Sequence, residues 1–340
     1  MKIQLFMAAK VRSLTNKIVL RGPLSPIPTM QSYWGIDLGG TKIECAVLQT
    51  EIGTLPSLDS VVIRKRIETG ASNGYDYILN QAKTLIEQVK AETGLNPERI
   101  GFGTPGTFDP VRQTMKNCNT TVLNGKPMKQ DLASLLGVPV EVANDANCFV
   151  LSEATMGIVP DVVPDYQTVF GVIMGTGVGG GVAVRGRDGQ TIVLNGLQGI
   201  GGEWGHNVVE ENGYPCYCGK RGCVEQVISG PALQRYYHQI SGVERLLPEI
   251  MERYHASSDL FASQTVNRLL EYFAKSMSAI INVLDPDAIV LGGGLGNIDL
   301  LYTEGVERIK KYIFNSGEVN TRFLKPKLGD SAGVFGAAML

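Results

Sequence analysis

From residue 33 onward the chain runs through two rhythms of apolar and polar positions, and then runs through them again. Short apolar runs broken by glycine come first: YWGIDLGG over 33–40, TKIECAVLQT over 41–50 and VVIRKRIET over 61–69. This spacing predicts three successive strands, a β-meander. The period then lengthens. Over residues 77–92 the apolar positions Ile78, Leu79, Ala82, Leu85, Ile86 and Val89 recur three and four apart, the stripe of an amphipathic helix. A short strand over 99–106 runs into a glycine–proline turn. A short helix over 132–136, a buried strand over 138–145 and a helix over 146–155 follow.

The second round begins with TVFGVIMGTGVGGGVAVRG over 168–186, again a buried strand, a Gly/Thr-rich turn and a strand. A long helix is predicted over 266–284, stopped by Asp285 and Pro286. The strand DAIVLGGG over 287–294 enters a third glycine turn, and helices are predicted over 300–314 and 331–340. Two rounds of meander and helix, each with its glycine turn, predict a duplicated α/β architecture with a cleft between two lobes.

The composition changes this picture little. With 340 residues, 44% hydrophobic, 19% charged and a formal net charge of −2, the chain has room for two cores. That balance gives no basis for nucleic-acid or anionic-membrane partners. No apolar run has transmembrane length. Residues 1–32 differ: they carry Lys10, Arg12, Lys17 and Arg21 and no acid, and they end in a Pro-rich run. They lack the apolar block and cleavage site of a secretory signal, leaving a short targeting segment or, as favoured here, a loose extension.

The densest chemistry lies in HNVVEENGYPCYCGKRGCVE, residues 206–225. His206, Cys216, Cys218 and Cys223 form a tetrahedral zinc ligand set, and four protein ligands leave no open position, so the metal is expected to be structural. Glu203 and Glu225 flank the cluster, so a metal that fixes the loop also fixes two carboxylates suited to a ligand rich in hydroxyls. Cys45, Cys118 and Cys148 are scattered and read as core thiols. Unpaired cysteines fit a reducing cytoplasm.

Three glycine turns admit two readings each. Asp37, Leu38, Gly39, Gly40, Thr41 and Lys42 form either a tight hairpin or a phosphate cradle, with Asp37 placed to hold magnesium through water. Gly175, Thr176, Gly177, Val178, Gly179, Gly180 and Gly181 contain GxGxxG, but a strand follows rather than a helix, which argues against a dinucleotide site. Gly292, Gly293 and Gly294 either join a strand to a helix or lie against an adenosine. Asn144 and Asp145, at a strand end before a helix, are cap residues or a general base.

Taken in order, DLGGTK, GTPG, NDAN, GTGVGGG, GEWGH, CYCGKRGC-E and DPDAIVLGGG resemble the ROK family (repressor, open reading frame, kinase), and the resemblance covers nearly all of residues 33–340. It implies an actin/hexokinase-like ATPase fold, α/β and two-lobed. Duplicated ribonuclease-H-like domains would span 33–143, completed by 331–340, and 144–330, with a zinc-bound loop over 203–225. It implies Asp145 as catalytic base, Asn144, Glu203, His206 and Glu225 as hexose contacts, and a loop with Asn119 and Asn124 near the sugar. Gly35, Ile36 and the run to Lys42 would line ATP phosphates together with Met174 to Gly181, while Gly292 to Gly294 take the adenosine side. Magnesium accompanies ATP, and a homodimer is the family's usual form. KNCNTTVLNGKPM and the cysteine loop look most like the fructokinase/mannokinase branch, so fructose, and also mannose, is the expected acceptor. Glucokinases and kinases of N-acetylglucosamine or N-acetylmannosamine are the alternatives. A repressor on this fold needs an N-terminal helix-turn-helix, for which thirty residues with a Pro-rich end are too short.

Overall fold

The computed structural model describes residues 29–340. The loose extension expected over 1–32 therefore lies outside the described residues up to residue 28, while residues 30–32 already form the start of a strand.

Two five-stranded sheets share one topology. In the first, β1 (Met30–Leu38), β2 (Lys42–Glu51) and β3 (Val61–Glu68) form the predicted antiparallel meander. Next to β1 lies β4 (Ile100–Thr104), parallel to it. After a small hairpin of β5 (Thr107–Asp109) and β6 (Thr114–Lys116), β7 (Val140–Asn144) adds in parallel to β4. The spatial order is β3-β2-β1-β4-β7. In the second sheet β8 (Thr168–Met174), β9 (Val178–Arg185) and β10 (Thr191–Val193) repeat the meander. Parallel strands β11 (Ala288–Gly292) and β12 (Arg322–Leu324) complete it in the order β10-β9-β8-β11-β12. The duplication read from the sequence is present strand for strand.

Helices α1 (Tyr75–Thr93) and α2 (Met128–Leu136) belong to the first sheet. The six apolar positions predicted for α1 are all buried, and Gly94 ends the helix in the left-handed region at φ 71°. Helix α3 (Asp145–Thr155) and the short α4 (Ile158–Val162) lead into the second sheet. Its outer face carries α5 (Glu225–Ile228), α6 (Gly230–Ser241), α7 (Leu247–His255) and α8 (Leu260–Leu284). The sequence reading assigns no helix between 226 and 265. It also starts α8 six residues late, because the helix is set by its cap: the Asp259 carboxylate accepts the Phe261 and Ala262 N–H groups.

The helix predicted over 300–314 is cut down to α9 (Glu304–Ile309). Beyond it, side chains of α8 hold the chain in a different course. Asn282 donates to the Tyr312 carbonyl at 3.2 Å and accepts the Phe314 N–H at 2.8 Å, and the Tyr312 hydroxyl donates to Glu271. Helix α10 (Ala332–Ala338) closes the fold.

One core lies against each sheet, around Ile36, Leu85 and Phe102 in the first and Phe170, Phe273 and Leu291 in the second. A third core, with Leu48, Phe149, Val290 and Phe335, lies between them. Two exchanged helices build it. Helix α3 leaves the first sheet and packs on β8, β9 and β10, whereas α10 leaves the second and packs on β1, β2 and β4. The two helices touch backbone to backbone, since a Cβ at Gly336 would run into the main chain of Cys148.

Candidate active site

The site is built at the end of β7, where the chain turns into α3. Asn144 has extended backbone, and its Oδ1 accepts the Ala146 N–H at 2.9 Å, so the cap reading holds for it. The Asp145 Oδ1 accepts the same N–H at 2.7 Å. Asp145 is open to a cavity yet closely walled by protein, and that desolvation raises its pKa. The Ala146 N–H opposes the shift, and the charge of Glu203 reinforces it.

Two cavities meet at this carboxylate. One, of about 620 Å³, is lined by Asn119, Asn144, Glu203, His206, Glu225 and the β8–β9 turn from Gly175 to Gly180. The other, of about 660 Å³, is lined by Asp37, Leu38, Gly39 and Gly292 to Gly294, with Asn297, Asp330 and Gly333 from the far side. Pro105, Asp145 and Ile173 line both. Asp37 faces the second cavity with its pKa raised to about 6, chiefly by burial and then by Asp145 and Glu44, against the pull of Arg66.

Each wall is pinned by hydrogen bonds from the other segments. The Trp204 indole N–H donates to the Gly179 carbonyl at 2.8 Å, fixing the strip that carries Glu203 and His206 against β9. The Glu225 Oε2 accepts the Val178 N–H at 3.0 Å. The glycines of the β8–β9 turn and of β9 sit in two different settings. At Gly175 and Gly179 a side chain would meet nothing, so the backbone faces open space; at Gly181 a Cβ would lie 2.6 Å from the Asn147 Oδ1 of α3.

Several residues of the glycine motifs do not reach either cavity. Gly35 lies under α10, where a Cβ would come within 2.5 Å of the Ala338 N, and Ile36 and Met174 are core residues. Gly40, Thr41 and Lys42 form the tight turn closed by the Gly39 N–H to Lys42 carbonyl bond of 2.9 Å, so the hairpin reading describes them. Asn124 is a loop brace, accepting the Cys118 N–H at 2.8 Å and donating to the Cys118 carbonyl at 3.2 Å. Cys45, Cys118 and Cys148 are buried, as expected of core thiols, and no cysteine is in a disulfide.

The donor atoms of His206, Cys216, Cys218 and Cys223 all lie within 4.8 Å of one another. The His206 Nδ1 is 3.5 Å from the Cys216 Sγ, and the Cys218 and Cys223 sulfurs are 3.6 Å apart. Ligands around a tetrahedral zinc with Zn–S near 2.3 Å stand roughly 3.8 Å apart, so the donor set fits structural zinc. The other ring nitrogen, Nε2, turns toward the first cavity and meets the Tyr217 hydroxyl at 2.9 Å.

Sequence reasoning passed over Asn117 and Tyr217, which also line the first cavity, and Asn297, Asp330 and Gly333 on the second. Tyr217 carried a signal, being an aromatic between two metal ligands. Asn117 holds φ at 56°, a conformation for which asparagine is enriched.

The sequence model described as the ROK family matches residues 33–340. An N-acetyl-D-glucosamine kinase of Vibrio atlanticus (strain LGP32) is 33% identical over 318 residues, 91% of this chain and 99% of its own length. Among solved structures, the ROK hexokinase from Thermus thermophilus matches with a TM-score of 0.77 and 29% identity over 91% of this chain and 97% of its own. A ROK family glucokinase from Streptomyces griseus, solved with glucose and AMPPNP, matches with a TM-score of 0.67 and 25% identity over 91% and 98%. The Vibrio relative is named for an amino-sugar acceptor, not for the fructose expected from the loop residues.

Proposed function

The chain belongs to the ROK family, and from that premise we propose that it is an ATP-dependent sugar kinase. Its acceptor is N-acetyl-D-glucosamine, phosphorylated on the C6 hydroxymethyl group. The observation that carries this reading is Asp145 lining two cavities at once, each large enough for one substrate. A base placed there touches both the attacking hydroxyl and the phosphoryl group it attacks.

In this reading the sugar occupies the first cavity, its hydroxyls held by Asn144, Glu203, Glu225 and the hydrogen-bonded pair of His206 and Tyr217. ATP, arriving with its magnesium, occupies the second. Asp145 takes the hydroxyl proton as the oxygen attacks the γ-phosphoryl in line. Backbone N–H groups of Thr176 and Gly177 in the β8–β9 turn, which line the first cavity beside Asp145, stabilise the charge on the phosphoryl oxygens. Zinc, when bound, supplies rigidity to the loop that carries the sugar contacts and takes no part in the transfer. Lobes 33–143 with 331–340 and 144–330 close on the sugar and exclude water, suppressing hydrolysis of ATP. Among the described residues no helix is long and apolar enough to cross a membrane, and six free thiols support a cytoplasmic site of action.

The resemblance of KNCNTTVLNGKPM and the cysteine loop to fructokinases supports a second acceptor reading, fructose or mannose. ADP release measured separately with N-acetylglucosamine, N-acetylmannosamine, glucose, fructose and mannose decides between them. The highest kcat/KM on N-acetylglucosamine is expected. A preference for fructose would replace the acceptor and keep the kinase, and no turnover on any of the five would refute both.

A further inference from the structure

The first cavity shares lining residues with two neighbours. Toward the nucleotide side it shares Pro105, Asp145 and Ile173 with the 660 Å³ cavity. On another side it shares Asn117, Asn119 and Tyr217 with a further cavity of about 600 Å³. In a pyranose, C6 is carried by C5, and the ring atom directly across from C5 is C2. A sugar whose C6 hydroxyl sits on Asp145 presents its C2 substituent at the side of the ring farthest from that carboxylate, and Asn117, Asn119 and Tyr217 are walls of the first cavity that the nucleotide-side cavity does not share.

That wall is light. Tyr217 is 72% exposed and is held by its hydroxyl bond to His206 and an edge-on ring contact of 5.1 Å with the same residue. Behind the wall, Met115 and Cys118 give the further cavity an apolar floor, and Thr114, Thr121 and Gly125 form its rim. Its two cations are already engaged. Arg112 and Lys116 both meet the Asp109 carboxylate at 3.3 Å, and Lys116 also donates to the Gln198 carbonyl at 2.6 Å. The space is therefore better matched to a neutral group than to a carboxylate.

We propose that this further cavity is an acyl subsite, admitting 2-acylamido hexoses whose acyl chain is longer than acetyl. The inference rests on the hexosamine-kinase reading above. It extends that reading to a substrate class, N-acylated glucosamines with three- and four-carbon acyl chains.

The test is kcat/KM for N-acetyl-, N-propanoyl- and N-butanoylglucosamine, with the native protein and with Thr121→Trp, a substitution at an exposed position that lines only the further cavity. A pocket closed to one more methylene discriminates by about tenfold or more, so the native protein is expected to keep all three substrates within about threefold. The tryptophan is expected to lower the N-butanoyl value by about tenfold while leaving the N-acetyl value within about twofold. Good turnover of N-acetylglucosamine with rejection of the longer chains by the native protein would overturn the subsite alone. Equal losses on all three substrates in Thr121→Trp would overturn it too. Absence of turnover on N-acetylglucosamine would overturn the acceptor reading, and the subsite with it.

Discussion

Desolvation by the surrounding protein raises the pKa of Asp145 above the ordinary carboxylate range, and a base is most effective as its pKa approaches the working pH. Removing its negative charge leaves the sugar contacts in place. Asp145→Asn is expected to lower kcat by about 10²–10⁴-fold, with sugar affinity by calorimetry little changed. In the native protein the acid limb of kcat/KM should fall at a higher pH than an ordinary carboxylate gives. Asp37 supplies a separate test of the same electrostatics. Its pKa rises from 3.8 to about 6 in the folded protein, so folding favours the protonated form. Its contribution to stability is complete below the unfolded value and is lost as pH rises through about 6. Asp37→Asn should therefore melt higher than the native protein at pH 7.5, by on the order of 1–3 kcal/mol, and no higher at pH 3.5. In sequence, Asp145 was legible only as a cap or a base, and it was the resemblance that singled it out as the base; the structure places it on the wall of both cavities. The glycines were legible only as glycines: Gly35 and Gly175 look alike in sequence, but one lies under a helix and the other faces open space.

The only regular structure in the loop over 203–225, ahead of α5, is one 3-10 turn, Trp204–His206, and two isolated antiparallel bridges, Val208 with Cys223 and Pro215 with Arg221. The loop is held by the Cys/His cluster at one end and, at Glu210, by Arg268 of α8, whose Nη2 lies 2.7 and 2.8 Å from the two carboxylate oxygens. The Arg268 guanidinium also stacks on Tyr236 and Tyr272, 4.6 and 4.8 Å from their ring centroids. Cys218→Ser is expected to reduce zinc from one per chain to a small fraction, read by elemental analysis. Because the loop carries Glu203 and His206, the sugar KM should rise about tenfold or more, with the ATP KM nearly unchanged. The cluster was readable from four ligands at short spacing. The Arg268 anchor was not, since it joins positions 58 residues apart. Local periodicity failed in a similar way at 300–314, where hydrogen bonds from α8 override a helical pattern.

At the scale of the molecule, the repeated strand order was visible as a repeated rhythm, but the exchange of α3 and α10 between sheets was not. Nothing in an apolar, glycine-punctuated stretch says which sheet it will cover. That exchange presses Gly336 of α10 against Cys148 of α3, between the two sheets. Gly336→Val should push the helices apart, lowering stability by roughly 1–3 kcal/mol in thermal melts. Turnover should fall as well, because Asp145 and Cys148 share α3. The same exchange has a consequence for biosynthesis. The first sheet is made early, yet the helix that covers part of its face, α10, begins 188 residues after β7 ends. At translation speeds of about 5–20 residues per second, the ribosome takes on the order of 10–40 s to cover that distance. Throughout it, the nascent N-terminal half displays an uncovered apolar sheet, a binding surface for chaperones that disappears when α10 docks.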